Sequence, residues 1–195
     1  MFRFLPPATR TILIANVLVF LLQQAMGPLI DTLFALWPLG SRFFEPWQVV
    51  SYGFLHENFT HIFFNMFALV MFGGSLEQFL GARRFTVYYF ACILGAAATQ
   101  LAVQAATGSQ EATLGASGGI FGLLLAFAMF FPKQRILLYF AIPMQAWLFV
   151  TLYGVLELFL GVTGRQEGVA HFAHLGGMLG GAIVLLYWRT VSSTK

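Results

Sequence analysis

Charged residues are scarce in this 195-residue sequence, since Asp, Glu, Lys and Arg make up 9% of it. A soluble domain carries about 25% charged and about 45–50% apolar residues, whereas this chain is 59% hydrophobic. It has one cysteine, Cys92, which excludes a disulfide framework and a site built from several thiolates. Its 10 basic and 7 acidic residues are too few to follow a phosphate backbone. We therefore expect an integral membrane protein with the lipid bilayer around it and no nucleic-acid partner.

Six apolar stretches are long enough to be read as membrane helices. A helix that crosses the hydrocarbon needs about 20 residues, so the shorter ones should end at the interface and the longest should tilt or extend beyond the lipid. None alternates apolar and polar residues as the strands of a membrane barrel do. The sequence predicts an all-α fold, a polytopic membrane helical bundle with six transmembrane helices that forms a single domain over residues 1–195. The approximate stretches are Thr11–Met26, Phe59–Gln78, Phe85–Gln104, Gly115–Phe131, Ile136–Val162 and Val169–Trp188.

The basic residues predict the orientation of these helices. With a cytoplasmic N-terminus, the outer segments hold only Arg42 and Arg165. This bias is typical of cytoplasmic loops, so both termini are expected to be cytoplasmic. No convincing small-residue cleavage site follows the basic opening, and the first helix is expected to be retained. The basic residues of the inner segments are Arg3, Arg10, Arg83, Arg84, Lys133, Arg135, Arg189 and Lys195.

One connection, residues 27–58, is much longer than the others. It contains Trp37 and Trp47, and tryptophan rings favour the membrane interface. This composition favours an ordered structure lying in the interface, although a plain anchoring loop fits the same residues.

Polar residues inside the apolar stretches are the functional candidates, because lipid makes them costly. His61 and Asn65, four residues apart, share a face of the second helix, Ser117 opens the fourth, and His174 lies near the start of the sixth. All three helices begin on the outside. At about 1.5 Å per residue, these side chains converge on one layer in the outer leaflet.

Glycine spacing predicts how the fourth and sixth helices approach each other. Glycines four residues apart let two helix backbones come close, which would bring Ser117 towards His174. The pairs are Gly115/Gly119 and Gly118/Gly122 on the fourth helix, and Gly176/Gly180 and Gly177/Gly181 on the sixth.

The chemistry that suits such a pair is nucleophilic attack. A serine hydroxyl needs a neighbouring base to take its proton, and neutral histidine is the usual base. The tetrahedral intermediate then needs hydrogen-bond donors aimed at its oxyanion. Backbone amides in the first turn of the fourth helix have no intrahelical acceptor, and His61 and Asn65 could add side-chain donors.

Three motifs carry a family resemblance. GASGGIFGLL around Ser117, HIFFN with His61 and Asn65, and AHLGGMLGG with His174 resemble the signature of the rhomboid intramembrane serine proteases. The segments PWQVVSYGFLH and GGSLEQFLG are similar to that family as well, so the match covers all six helices in order.

The resemblance implies a six-helix bundle with Ser117 as nucleophile and His174 as general base, and no metal or cofactor. Its substrates would be other transmembrane proteins, cleaved near the outer face, with the fifth helix as a lateral gate. The minimal bacterial form places it in the bacterial inner membrane, and no oligomeric state follows. The implied oxyanion or substrate-binding residues are His61, Asn65, Gly115 and Gly118.

The chain departs from the family at two points. Gln48 follows Trp47 where the family often has Trp-Arg, which puts a salt bridge in that loop in doubt. Phe121 stands one turn after Ser117, where some members carry tyrosine.

The remaining polar residues have structural interpretations. His171 points about 300° around the helix from His174 and is expected at the interface or in a supporting position. His56 is expected to be in water. Glu157 could orient His174 as a triad member, although interfacial water is the environment that we expect for it.

Two further interpretations concern the ends and the core of the bundle. Glu77 is expected to contact Arg83 and Arg84 at the cytoplasmic end, and Cys92 to lie in the core. The spacing HExxxH from His56 to His61 turns the two rings apart, which argues against a shared metal ion.

Two other functions compete with proteolysis. One is a non-catalytic rhomboid-like protein that binds or escorts membrane helices. The other is a bis-histidine haem or ion-conducting protein using His61 and His174. The chain lacks the series of carboxylates expected of a proton-coupled transporter, which argues against the ion-conducting version.

Overall fold

A computed structural model describes residues 5–138, 142–164 and 170–193. The predictions that involve Arg3, Arg165, Val169 and Lys195 lie outside these residues. The helices are α1 (Pro7–Met26), α2 (Pro28–Phe34), α3 (Gln48–Ser51), α4 (Phe59–Ala68), α5 (Gly74–Leu80), α6 (Ala82–Thr107), α7 (Ser117–Phe130), α8 (Ala146–Thr163) and α9 (His171–Ser193), and the strands are β1 (Arg135–Leu138) and β2 (Ile142–Gln145).

Within the part of the chain that the structure describes, five helical segments are long and apolar enough to cross a membrane. They are Pro7–Met26, Phe59–Leu80, Ala82–Thr107, Ala146–Thr163 and His171–Val191, of which the second joins α4 to α5 through a π-helical turn. The shorter apolar helix α7 lies inside the bundle, with ten of its 14 residues buried. A helix surrounded by other helices does not need the length of a lipid-facing one. The predicted polytopic helical bundle is confirmed.

The sequence predicted one long helix over the fifth apolar stretch, and the structure differs from that prediction. The strands β1 and β2 pair antiparallel, with Arg135 opposite Gln145, and α8 begins only at Ala146. Pro143 explains the break, because proline has no backbone N–H for a helix and its ring clashes with the preceding turn. The prediction of helix over 136–138 and 142–145 is therefore wrong, while the helical bundle around these two short strands stands.

Glycines bring α9 close to two neighbouring helices. A Cβ atom added to Gly177 would collide with the backbone of Gly118 on α7. One added to Gly95 on α6 would lie 2.7 Å from the carbonyl oxygen of Gly176 and 2.9 Å from Cα of Gly180. The predicted approach of the fourth and sixth helices is confirmed. Gly176 and Gly180, however, face α6, a partner that the spacing alone did not identify.

The long first connection is folded. Gln48 is fully buried, and its amide nitrogen donates to the carbonyl oxygens of Phe43 and Leu33 at 2.8 and 3.2 Å. Its amide oxygen accepts from the backbone N–H of Trp37 at 3.3 Å. The ordered structure is confirmed over the plain-loop interpretation. Neutral hydrogen bonds from Gln48 link segments of this loop.

Glu77 is buried and bonds to the start of α1. Its carboxylate accepts from the backbone N–H groups of Ala8 and Thr9, at 2.8 and 2.6 Å. The first amides of a helix have no intrahelical acceptor and carry partial positive charge, which suits a carboxylate. The predicted contact of Glu77 with Arg83 and Arg84 is wrong, since the ion pairs found within the described residues do not include it. Cys92 is buried in the core, as expected.

Candidate active site

Ser117 and His174 lie side by side. Ser117 is the first residue of α7, and its Oγ lies 2.8 Å from Nε2 of His174 in the first turns of α9. The contact between Gly118 and Gly177 lies beside this pair and sets the spacing of the two helices. The structure thus brings together the two residues that the sequence proposed as nucleophile and base.

The plane of the His174 ring is fixed by an aromatic neighbour. The Phe121 ring is stacked on it, with centroids 4.3 Å apart and planes 7° from parallel. The ring of Tyr153 on α8 also packs against the Phe121 ring, at a centroid distance of 5.0 Å. Phenylalanine therefore supplies the stacking surface at this position without adding a hydroxyl group.

A carboxylate lies on the far side of His174. Oε2 of Glu157 is 2.9 Å from Nδ1 of His174 and 2.7 Å from Nδ1 of His171. Glu157 is 4% exposed and His171 5%. The expectation that Glu157 faces interfacial water is therefore wrong. Of the two placements expected for His171, at the interface or in a supporting position, its bond to Glu157 favours the second. A carboxylate buried among helices needs such donors, because an unpaired buried charge is costly.

The sequence contains one indication of this contact. Glu157 is the only acidic residue within the stretch Ile136–Val162, and an ionisable residue inside a membrane segment is a functional candidate by default. Which side of α8 packs on α9 could not be read from the same stretch, because apolar residues occupy every face.

His61 and Asn65 lie on the α4 side of Ser117. Asn65 is buried, and its Nδ2 donates to the carbonyl oxygen of His61 at 3.0 Å, which leaves its second amide hydrogen for another acceptor. A Cβ atom added to Gly115 would lie 2.9 Å from Nε2 of His61 and 3.5 Å from Oγ of Ser117. Gly115 therefore leaves room for the imidazole beside the hydroxyl.

The backbone amides near Ser117 differ in availability. The amide of Gly115 already donates to the carbonyl oxygen of Tyr52 at 2.9 Å. Gly115 was predicted as an oxyanion or substrate-binding residue, and this bond favours a substrate-binding position over an oxyanion donor. The first helical bond here runs from the amide of Ile120 to the oxygen of Ala116, at 3.1 Å. The amides of Ser117 and Gly118 lie before that bond, in the turn where helical N–H groups have no intrahelical acceptor.

All six predicted site residues line one cavity of about 880 Å³. Polar residues of the loops before α4 and α7, among them Glu57, Asn58 and Glu111, form part of its wall and are exposed. Aromatic and aliphatic side chains line another part, among them Phe149 and Tyr153 of α8. The cavity therefore offers a polar surface and an apolar surface to a bound molecule. The six residues are His61, Asn65, Gly115, Ser117, Gly118 and His174.

His56 packs behind His61. The prediction that His56 is in water is therefore wrong. It is 1% exposed, and its ring meets that of His61 edge to face at 5.0 Å. Within the described residues, neither of its ring nitrogens has a hydrogen-bond partner. Burial, with a smaller contribution from His61, lowers the pKa of His56 to about 3. His56 is therefore neutral at physiological pH.

Within the described residues, one group of three side chains could together bind a metal ion. Glu157, His171 and His174 place one potential ligand atom each within 4.8 Å of one another. The two hydrogen bonds to Glu157 use the same atoms, so an ion would have to displace the bonded protons. His174 Nε2 is engaged with Ser117, which argues against its use as a haem ligand.

Comparison with known proteins identifies the family. The Rhomboid domain matches residues 44–190. The chain is 36% identical over 142 residues to "Rhomboid protein 1, mitochondrial" of Saccharomyces cerevisiae, covering 70% of this chain and 40% of that protein. It is 34% identical over 170 residues to "RHOMBOID-like protein 5" of Arabidopsis thaliana, covering 84% and 53%. With "Rhomboid protease GlpG" of Photorhabdus laumondii it shares 36% identity over 81 residues, covering 42% and 29%.

The chain thus spans about half the length of these relatives or less. The domain match, in contrast, covers well over half of the chain and includes α4 to α8 and the candidate site. This multi-pass membrane protein belongs to the rhomboid family of intramembrane proteases.

Proposed function

We propose that the protein is an intramembrane serine endopeptidase that cleaves transmembrane-helix substrates near the outer membrane face. The observation that carries this proposal is the 2.8 Å separation of Ser117 Oγ and His174 Nε2 on the wall of the cavity. The bacterial inner membrane is part of the proposal, since GlpG proteins of several bacteria are among the relatives.

The geometry fits acyl transfer through a covalent intermediate. Ser117 Oγ attacks the scissile carbonyl carbon while its proton passes to Nε2 of His174. The amides of Ser117 and Gly118, together with the side chains of His61 and Asn65, supply donors for the oxyanion. His174 then gives its proton to the leaving amine. A water molecule, from which His174 removes a proton, then hydrolyses the acyl-enzyme.

The substrate class follows from the two surfaces of the cavity. A transmembrane helix has its backbone carbonyls hydrogen-bonded internally, so a scissile carbonyl must leave its helix before Ser117 can attack. The polar wall near Glu57 and Glu111 can solvate the unwound backbone, and the apolar wall formed with Phe149 and Tyr153 can accept its side chains.

Cleavage by purified protein tests the proposal. In detergent, the wild type should cleave a reporter containing one transmembrane helix and should be labelled by a fluorophosphonate at Ser117. Ser117→Ala should lose the label and at least about 10³-fold of the cleavage rate, because the nucleophile is gone. Ser75→Ala, at an exposed serine of α5, is the matched control and should behave as the wild type.

Either of two results would overturn the assignment. One is cleavage by Ser117→Ala at the wild-type rate. The other is a folded wild type that binds the helical reporter but neither cleaves it nor reacts with the probe, which is what the non-catalytic escort alternative predicts.

A further inference from the structure

Glu157 is the feature of the site that the Ser117–His174 chemistry leaves unexplained. It is one of three buried residues on α8, with Ala146 and Val150. One of its two carboxylate oxygens, Oε2, contacts Nδ1 of both His174 and His171. A carboxylate removed from water in this way is placed by specific contacts, and those contacts converge on the base.

The contacts decide which nitrogen of His174 carries the proton. An ionised carboxylate is only an acceptor, so the Nδ1–H group of His174 must donate to Glu157. In neutral imidazole the other nitrogen is then an unprotonated acceptor. That nitrogen, Nε2, is the one that lies 2.8 Å from Ser117 Oγ. The tautomer that Glu157 selects is thus the one able to take the serine proton.

The same contact matters more once the proton has moved. Transfer from Ser117 to His174 creates an imidazolium in a largely buried position, since the His174 side chain is 11% exposed. A carboxylate oxygen at 2.9 Å offsets that charge, and an interaction of this kind is stronger where water is excluded. Glu157 therefore stabilises the charged form that occurs during the reaction.

His171 supports the carboxylate. Its Nδ1–H donates to the oxygen that also binds His174, at 2.7 Å. His171 and His174 are three residues apart on α9, so the two donors hold Glu157 against one face of that helix. The second bond limits rotation of the carboxylate away from His174.

We propose, on the basis of the proposed proteolytic function, that Glu157 is a positioning residue that extends the Ser117–His174 pair into a Ser–His–Glu triad, with His171 orienting its carboxylate. Glu157 touches neither substrate nor reacting atoms. It acts by holding the Nδ1–H tautomer of His174 and by balancing its positive charge. A purely structural bond between α8 and α9 is the competing explanation.

Steady-state kinetics of Glu157→Gln test the proposal. We expect kcat on the helical reporter to fall by about 10²- to 10⁴-fold with KM unchanged, because the amide can present an N–H to His174 and favour the wrong tautomer. Glu157→Asp keeps the carboxylate and should retain more activity than Glu157→Gln. Glu45→Gln, the same change at an exposed position, should leave both constants unchanged.

A spectroscopic measurement makes the test independent of turnover. Nitrogen NMR of His174 in the resting wild type should show a protonated Nδ1 and an unprotonated Nε2, and Glu157→Gln should lose this state. A resting Nε2–H tautomer in the wild type would overturn the proposal. So would Glu157→Gln with kcat within twofold of the wild type, or a loss of activity matched by Glu157→Asp and by an equal loss of thermal stability in both variants.

The outcomes separate this inference from the proposed function. If the wild type fails to react with the fluorophosphonate, proteolysis by Ser117 is wrong. If the wild type and Glu157→Gln react at the same rate, only the positioning role is wrong.

Discussion

Among the residues that the structure describes, each buried carboxylate is paired with donors from a different helix. Glu77 binds the first amides of α1, and Glu157 binds two histidines of α9. Few charged residues are available in a chain with this composition, and a buried one without partners would be strongly destabilising. These residues therefore report which helices must stay together.

Removing the Glu77 carboxylate should loosen the contact between α1 and α5. Glu77→Ala leaves the amides of Ala8 and Thr9 without their acceptor, which should cost about 1–3 kcal/mol for each amide left buried. We expect a lower thermal unfolding midpoint in detergent while Ser117 is still labelled below that midpoint. An unfolding midpoint equal to that of Glu45→Gln would contradict this prediction.

The lowered pKa of His56 predicts that the stability of the protein depends on pH. Its pKa is lowered from 6.5 to about 3 in the folded protein, so the unfolded chain binds one more proton between these values. The stability contributed by neutral His56 is thus fully present above pH 6.5 and is lost as the pH falls towards 3, by up to about 1.4 kcal/mol per pH unit.

The measurement is the unfolding midpoint in detergent at pH 7.5 and pH 5. We expect a smaller decrease on acidification for His56→Phe than for the wild type, because phenylalanine keeps an aromatic ring against His61 and cannot titrate. Equal decreases for the two proteins would show that other groups account for the dependence.

Among the five membrane-length helical segments that the structure describes, α8 is the least buried. Only 17% of its residues are buried, so most of its surface is left for lipid. Its contacts with the site include Tyr153, which packs on Phe121, and Glu157. Movement of α8 away from α9 would therefore withdraw the carboxylate from His174.

Gly161 offers a way to separate these two helices by mutation. A Cβ atom there would lie 3.2 Å from Cβ of His171 and 3.2 Å from the ring of Phe172. We expect Gly161→Leu to push α8 outward, weaken the bonds of Glu157 to both histidines, and lower kcat by at least about tenfold, the effect of about 1.4 kcal/mol.

The neighbouring change Val162→Leu is the matched control, since Val162 is 71% exposed and should tolerate the larger side chain. If Gly161→Leu retained the wild-type kcat, activity would not require the close approach of α8 and α9.

For the whole molecule, the distribution of basic residues predicts that the cavity opens on the side of the membrane opposite β1 and β2. Cys92 is buried, so single cysteines can be placed in the wild-type chain. In right-side-out spheroplasts, a membrane-impermeant maleimide should label Glu111→Cys beside the cavity and should leave Lys133→Cys unlabelled until the membrane is opened. The wild type is the control and should stay unlabelled. The reverse pattern would show that the orientation is wrong.

The sequence alone determined the membrane bundle and the main pair of the site. Apolar length identified the spans because a bilayer sets the length of a helix. Glycine spacing identified the approach of α7 and α9 because only small residues let backbones come that close. The positions of Ser117 and His174 within those helices then followed from the rise per residue.

Only the tertiary structure decided the environments of Glu157, His171 and His56, the bonded amide of Gly115, and the partner of Gly176. Each depends on which face of a helix meets another segment, and a stretch that is apolar on all sides does not encode its own rotation. The same holds for Glu77, whose acceptor role requires amides 68 and 69 residues away in the chain. Local spacing fixes what a helix can offer, whereas packing across the bundle fixes what that helix contacts.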